Sequence, residues 1–172
     1  MSDVIIHPAR VSDAEALYDL RLTALKTNPE AFGSDWQDME ANQTVASYAT
    51  TRIPPEDSDK CLIVAEQAGR LVGMMGFVRG TRLKTKHTGD IWGVFVRPDA
   101  RRQGISNQMM TALMAHIRGL DSIKQVKLSV IADNTAAIAL YQKFGFETWG
   151  TLPKGLYVDG VYYDMLYMSY IF

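Results

Sequence analysis

A run of β-branched and aromatic residues from Asp90 to Val96 ends at a proline, passes two arginines and a glycine, and gives way to a helical stripe. The stretch reads Val94-Phe95-Val96-Arg97-Pro98-Asp99-Ala100-Arg101-Arg102-Gln103-Gly104-Ile105-Ser106. The first part predicts a strand. From Gly104 to about Leu120, Ile105, Met109, Leu113 and Ile117 recur at helical spacing. The methionines of that stripe are read as core filling. A helix N-terminus carries unpaired N–H groups and partial positive charge, so it can receive an anion if nothing blocks the approach. Gly104 removes the side chain where the backbone must come close, and Arg101 and Arg102 add charge. Read alone, the pattern fits a solvated helix start equally well. It is neither a Walker loop nor a dinucleotide fingerprint.

The elements around it fix the architecture. Val4 to His7 predicts a strand, and Ser12 with Glu15 forms a capping-box pattern opening a helix that ends at Asn28-Pro29. Ala31 to Trp36 reads as a loop, and a second helix is expected from about Thr44 to Arg52. Strands Cys61 to Gln67 and Leu71 to Arg79 flank the turn Ala68-Gly69-Arg70. After the helix at Gly104 come a strand from Val126 to Ile131, a helix from Thr135 to Phe144, and strands Phe146 to Trp149 and Val161 to Ile171. An antiparallel front half joined to β-α-β-α-β-β gives the α/β (α+β) class. A single mixed, mostly antiparallel central sheet flanked by helices is expected, in one domain over residues 1–172.

Composition narrows the function. The formal net charge is −1, so no global field favours nucleic acid or an anionic membrane, and any anion must be held locally. No apolar run approaches the roughly 20 residues that span a bilayer, and the N-terminus lacks a signal-peptide pattern. One cysteine, Cys61, excludes an internal disulfide and suits a reducing cytoplasm. Its apolar setting argues against a catalytic thiol. Three scattered histidines and one cysteine offer no metal-ligand spacing, so no metal is expected.

About thirty residues after the basic turn stands Asn134-Thr135-Ala136-Ala137-Ile138-Ala139-Leu140-Tyr141-Gln142-Lys143-Phe144-Gly145-Phe146. Together the two motifs closely resemble the acetyl-CoA-binding core of the Gcn5-related N-acetyltransferase (GNAT) superfamily. That family's phosphate turn, [QR]-x-x-G-x-[GA], is here Arg101-x-x-Gly104-x-Ser106, with serine in place of the usual glycine or alanine. Its later helix, N-x-x-A-x-x-x-Y-x-x-x-G-F, is matched throughout, Ala137 included. The resemblance implies acetyl-CoA as co-substrate. The backbone of Val94, Phe95 and Val96 would pair with the pantetheine arm. Arg101, Arg102, Gln103, Gly104, Ile105 and Ser106 would surround the pyrophosphate, Asn134 would bond the pantetheine amides, and Tyr141 would lie near the thioester sulfur.

Acetyl transfer needs a neutral amine, and at pH 7 about one unperturbed amine in a few thousand is neutral. A base or a desolvated site must offset that cost of about 4–5 kcal/mol. Tyr141 is the candidate acid for the leaving thiolate. By resemblance to histone-modifying members, Asp90 is the candidate base, lying on the face of Trp92, Val94 and Val96 if the strand is unbulged; the competing reading is a solvated strand start. His87 and Glu66 are weaker candidates. In this fold the first loop-helix region and the last strands shape the acceptor pocket, which points to Phe32, Trp36 and Trp92, with Trp149, Tyr157 and Tyr162 behind them. A small-molecule amine is the expected acceptor, with a protein lysine or N-terminus as the alternative and a non-catalytic acyl-CoA-binding module as a third reading. Neither nucleic acid nor membrane is an expected partner; a homodimer is allowed.

Overall fold

The computed structural model describes residues 3–55 and 58–172. Among these residues seven strands form one sheet: β1 (Val4–Pro8), β2 (Cys61–Gln67), β3 (Arg70–Arg79), β4 (Thr88–Val96), β5 (Gln125–Ile131), β6 (Glu147–Val158) and β7 (Val161–Ile171). Their order is β1-β2-β3-β4-β5-β7-β6. Neighbours are antiparallel except for β4 and β5, which run parallel. The helices are α1 (Ala14–Thr27), α2 (Trp36–Asn42), α3 (Val45–Arg52), α4 (Ile105–Arg118) and α5 (Thr135–Lys143). This is the mixed, mostly antiparallel sheet that the element order implied. None of the described helices is long and apolar enough to cross a membrane.

The central strands are buried on both faces, which is why β2 reads as the unbroken apolar run Cys61 to Ala65. Cys61, Ile63 and Ala65 pack with Met109, Met110, Leu113, Met114 and Ile117 of α4. Leu62 and Val64 pack on the other face, with Leu17, Leu20 and Ala24 of α1, Met39 of α2 and Tyr48 of α3. The methionines of α4 are thus core, as their spacing implied. Behind β3, the buried Arg97 guanidinium ties the layers together: it donates to Leu71 O at 3.0 Å, Thr23 Oγ1 at 3.1 Å and Asp19 Oδ2 at 2.5 Å.

Three local expectations need correction. The Ser12–Glu15 box does not form; a short 3₁₀ turn, Val11–Asp13, precedes α1, and the Arg10 N–H donates to Asp13 Oδ2 at 2.7 Å. The loop expected over Ala31 to Trp36 ends in a helix, α2, capped by Asp35 Oδ1, which accepts from the N–H groups of Gln37 and Asp38 at 2.7 and 3.2 Å. The strand expected over Phe146 to Trp149 continues to Val158. Gly150, Pro153 and Gly155 interrupt its pattern, but β6 is an edge strand whose two bulges absorb them.

The feature that positions the site lies in β4. Met74 faces Phe95 and Gly76 faces Trp92, so β4 carries one residue more than β3 across this stretch. Gly93, with φ of +65°, sits in that bulge, where a left-handed backbone favours glycine. β4 pairs with β5 only through Thr88–Asp90, whereas β5 stays with β7 along its whole length. The two parallel strands part beyond Asp90. The bulge also overturns the unbulged alternation. Trp92 and Phe95 pack on the α1 side, while Ile91, Val94 and Val96 pack on the α4 side, so Asp90 does not share a face with Val94 and Val96.

Candidate active site

The split between β4 and β5 opens a cleft of about 850 Å³. Its outer part is walled by Val94, Phe95 and Val96, by the turn Arg101, Arg102, Gly104, Ile105 and Ser106, and by Asn134 and Ala137 of α5. A second, smaller cavity of about 80 Å³ adjoins it through the shared residues Phe32, Val94, Asn134 and Ala137, and is taken as its inner end; Trp92, Gly93, Val130 and Tyr141 also wall it. Residues that the two sequence motifs place about thirty positions apart thus face one another. Among the described residues the edge of β4 toward β5 has no strand partner beyond Asp90; the Arg101 side chain takes Val96 O, and the rest of that edge can meet an extended amide-bearing ligand.

The turn presents an open, uncapped helix start. Gly104 is the N-cap of α4 with φ of +76°, and no side chain caps the helix. A Cβ at Gly104 would meet nothing within 4 Å, so it would project into open space. Arg101 shapes the turn: its Nε donates to Val96 O at 3.0 Å and its Nη2 to Asn28 Oδ1 at 2.7 Å. Arg102 is exposed with φ of +62°. Gln103 is the one turn residue that does not line the cleft; its Oε1 accepts from Gln67 Nε2 at 3.0 Å. The turn therefore fits a pyrophosphate by backbone and charge. Asn134 Oδ1 caps α5 by accepting from the Ala137 N–H at 3.1 Å, which leaves its amide nitrogen for a ligand.

Tyr141 is 4% exposed, and its ring packs against Phe146 with centroids 6.1 Å apart. Burial pushes its phenol well above the ordinary value near 10, so it is a protonated donor at neutral pH. Asp90 lies outside the lining of the cleft and stands 3.5 Å from Lys127 Nζ at the closed end of the split. Glu66 pairs with His7 at 3.5 Å, away from the cleft, and His87 is exposed and also outside it.

Phe32 lines both parts of the cleft and Trp92 its inner end. Trp36 does not line it; its ring sits under Lys26 Nζ at 4.7 Å. Trp149, Tyr157 and Tyr162 are exposed on the β6–β7 hairpin. Sequence reasoning missed Asn28, Lys143 and Tyr163 as lining residues. Asn28 carried a signal only as a helix stop, and nothing local ties Tyr163 to a site 20 or more residues earlier in the chain.

The family model "Acetyltransferase (GNAT) family" matches residues 16–146. The L-amino acid N-acetyltransferase AaaT of Escherichia coli (strain K12) is 25% identical over 169 residues, covering 98% of each chain. A probable spermine N(1)-acetyltransferase of Bacillus subtilis subsp. natto is 31% identical over 67% of this chain and 81% of its own. A mycothiol acetyltransferase of Salinispora tropica is 27% identical over 80% of this chain, which spans only 42% of that longer protein. Among solved structures, a GNAT-family acetyltransferase from Streptococcus pneumoniae superimposes with a TM-score of 0.86 at 21% identity, covering 99% of this chain and 100% of that one. The chain belongs to the GNAT acetyltransferase family, whose reaction is acetyl-CoA-dependent acetyl transfer.

Proposed function

We propose that the protein acetylates the amine of a small molecule by direct attack, with Tyr141 as general acid. The observation that carries this reading is the parted β4–β5 edge, with an uncapped helix N-terminus at its outer end and a buried phenol at its inner end. The turn Arg101 to Ser106 would hold the pyrophosphate of acetyl-CoA, and the free edge of β4 the pantetheine amides. The amine nitrogen forms a bond to the thioester carbon and the carbon–sulfur bond breaks. The thiolate takes a proton from Tyr141, the attacking nitrogen loses one to water, and Tyr141 regains a proton from solvent, so no net proton is consumed. The partly desolvated inner end favours the neutral amine. Asp90, paired with Lys127 outside the cleft, is expected to contribute little as a base. The named relatives supporting a small acceptor act on amino acids and spermine.

Calorimetry tests the reading: acetyl-CoA and CoA should bind, and NAD and ATP should bind far more weakly. Absence of CoA binding at millimolar ligand would overturn it. A thiol-release assay can then report turnover cleanly. Cys61 is 5% exposed, and burial pushes its thiol up to about 11. At pH 8 only about one such thiol in a thousand is ionised, so the native protein should not react with a disulfide reagent until it unfolds. Stoichiometric labelling of native protein within minutes would contradict that burial.

A further inference from the structure

Among the described residues five buried side-chain polar atoms lack a hydrogen-bond partner, and three of them, Arg21 Nη1, Gln43 Oε1 and Tyr48 Oη, lie in the α1–α3 layer. Buried polar groups are almost always partnered, so a concentration of unpartnered ones beside a cleft is a place where an incoming polar group would be satisfied. Arg21 and Arg52 each stack on a wall of the inner cleft: the Arg21 guanidinium is 4.6 Å from the Phe32 centroid, and that of Arg52 is 5.1 Å from Trp92. Tyr48 is 2% exposed and within the field of both arginines. Burial lowers the affinity of Arg21 for its proton, and the nearby Arg52 charge lowers it further, against a smaller opposing pull from Tyr48 than that of burial.

Among the described residues three arginines have carboxylate partners, Arg70 with Asp99, Arg79 with Asp59 and Arg97 with Asp19, and Arg97 is the buried one among them. Arg21 and Arg52 have none among the described residues. Arg21, Tyr48 and Arg52 do not themselves line the cleft, but two neighbouring cations stacked on its wall residues, one of them largely removed from water, leave an uncompensated charge that an anion would relieve. Two guanidinium forks and a phenol O–H suit the oxygens of a carboxylate, and the same charges repel a polyamine.

We infer that Arg21, Tyr48 and Arg52 form a subsite for a carboxylate on the acceptor, so the acceptor is an amino acid or another carboxylate-bearing amine. The inference rests on the amine-acetylating reading above. With the carboxylate held behind Phe32 and Trp92, the amine is directed toward Gly93 and Tyr141, which line the same inner end.

The test compares L-phenylalanine, its decarboxylated amine phenethylamine, and spermine as acceptors, at matched concentrations of neutral amine. The parent should favour phenylalanine over phenethylamine by at least tenfold in kcat/KM, with spermine poorest. Arg21→Met keeps an apolar stem over Phe32, and Arg52→Met removes an exposed charge. Each should cut that preference about tenfold through the KM for phenylalanine, and Arg21→Lys should restore part of it. Acetyl-CoA titration of each variant checks that it is folded. Equal turnover of phenylalanine and phenethylamine by the parent overturns the subsite, as does an unchanged preference in both methionine variants. If acetyl-CoA fails to bind and no amine is acetylated, the enzyme reading itself falls, and the subsite with it.

Discussion

Tyr141→Phe is expected to lower kcat by about 10²- to 10⁴-fold, the usual contribution of a positioned acid, while acetyl-CoA affinity changes little. The ring keeps its contact with Phe146 and its place in the core, so the substitution removes one oxygen and little packing. A thiol departs as an anion of pKa near ~8.5, and the phenol, held protonated by burial, gives its proton only as negative charge develops on sulfur. That interaction is stronger in the transition state than in the ground state, so it should appear in kcat rather than in binding. The pH profile gives a second check. Because the folded-state pKa lies above the ordinary value, kcat should rise with deprotonation of the amine and show no falling limb from Tyr141 below about pH 10. The same direction of shift means that the fold holds this proton more tightly than the unfolded chain does. Its contribution to stability is therefore complete below about pH 10 and is lost as pH rises beyond that. If Tyr141 merely anchors the ligand, Tyr141→Phe would weaken acetyl-CoA binding and leave saturated turnover near the parent value; that result would remove it from the mechanism.

The residues proposed to hold acetyl-CoA could be named from sequence because their motifs are local. Gly104 and the arginines stand at a strand-to-helix junction, and Asn134, Ala137 and Tyr141 follow one helix's spacing. The mixed, mostly antiparallel sheet was legible from the order of elements, while the order of strands within it was not. What could not be read was the offset between strands. The extra residue at Gly93 has no signature apart from a glycine among apolar residues, yet it rotates Asp90 and Trp92 away from the face of Val94 and Val96. Asp90 is the candidate base by resemblance to histone-modifying members, and that face was its geometric support. The acceptor side was harder for a similar reason. Arg21, Tyr48 and Arg52 come from two helices, and Phe32 and Trp92, which carry the two guanidiniums, are 60 residues apart in the chain. An arginine on an amphipathic helix ordinarily faces water. Only the packing of α1 against α3 and the turn at Phe32 makes Arg21 a half-buried cation, its Nη1 shielded from water and without a carboxylate among the described residues.

Gly104→Val should weaken acetyl-CoA binding by about 10- to 100-fold, and Gly104→Asp by at least as much, but only the valine should destabilise the fold. Each charge-assisted hydrogen bond to the pyrophosphate is worth about 1.5–3 kcal/mol, and 1.4 kcal/mol is tenfold in affinity, so displacing one of them accounts for the range. Space exists for a Cβ at this position, so neither side chain collides with the protein; each projects where the ligand must approach the first turn of α4. Valine also pays for the left-handed backbone at φ of +76°, a strain of about 1–2 kcal/mol that should lower the melting temperature by several degrees. Aspartate tolerates that backbone better, and its charge at a helix N-terminus is favourable to the helix while repelling phosphate. The aspartate variant should therefore melt at or near the parent temperature and still fail to bind acetyl-CoA tightly. Parallel calorimetric titrations and thermal melts separate the two effects. Binding by the aspartate variant equal to that of the parent would place the pyrophosphate elsewhere, whatever the valine variant does.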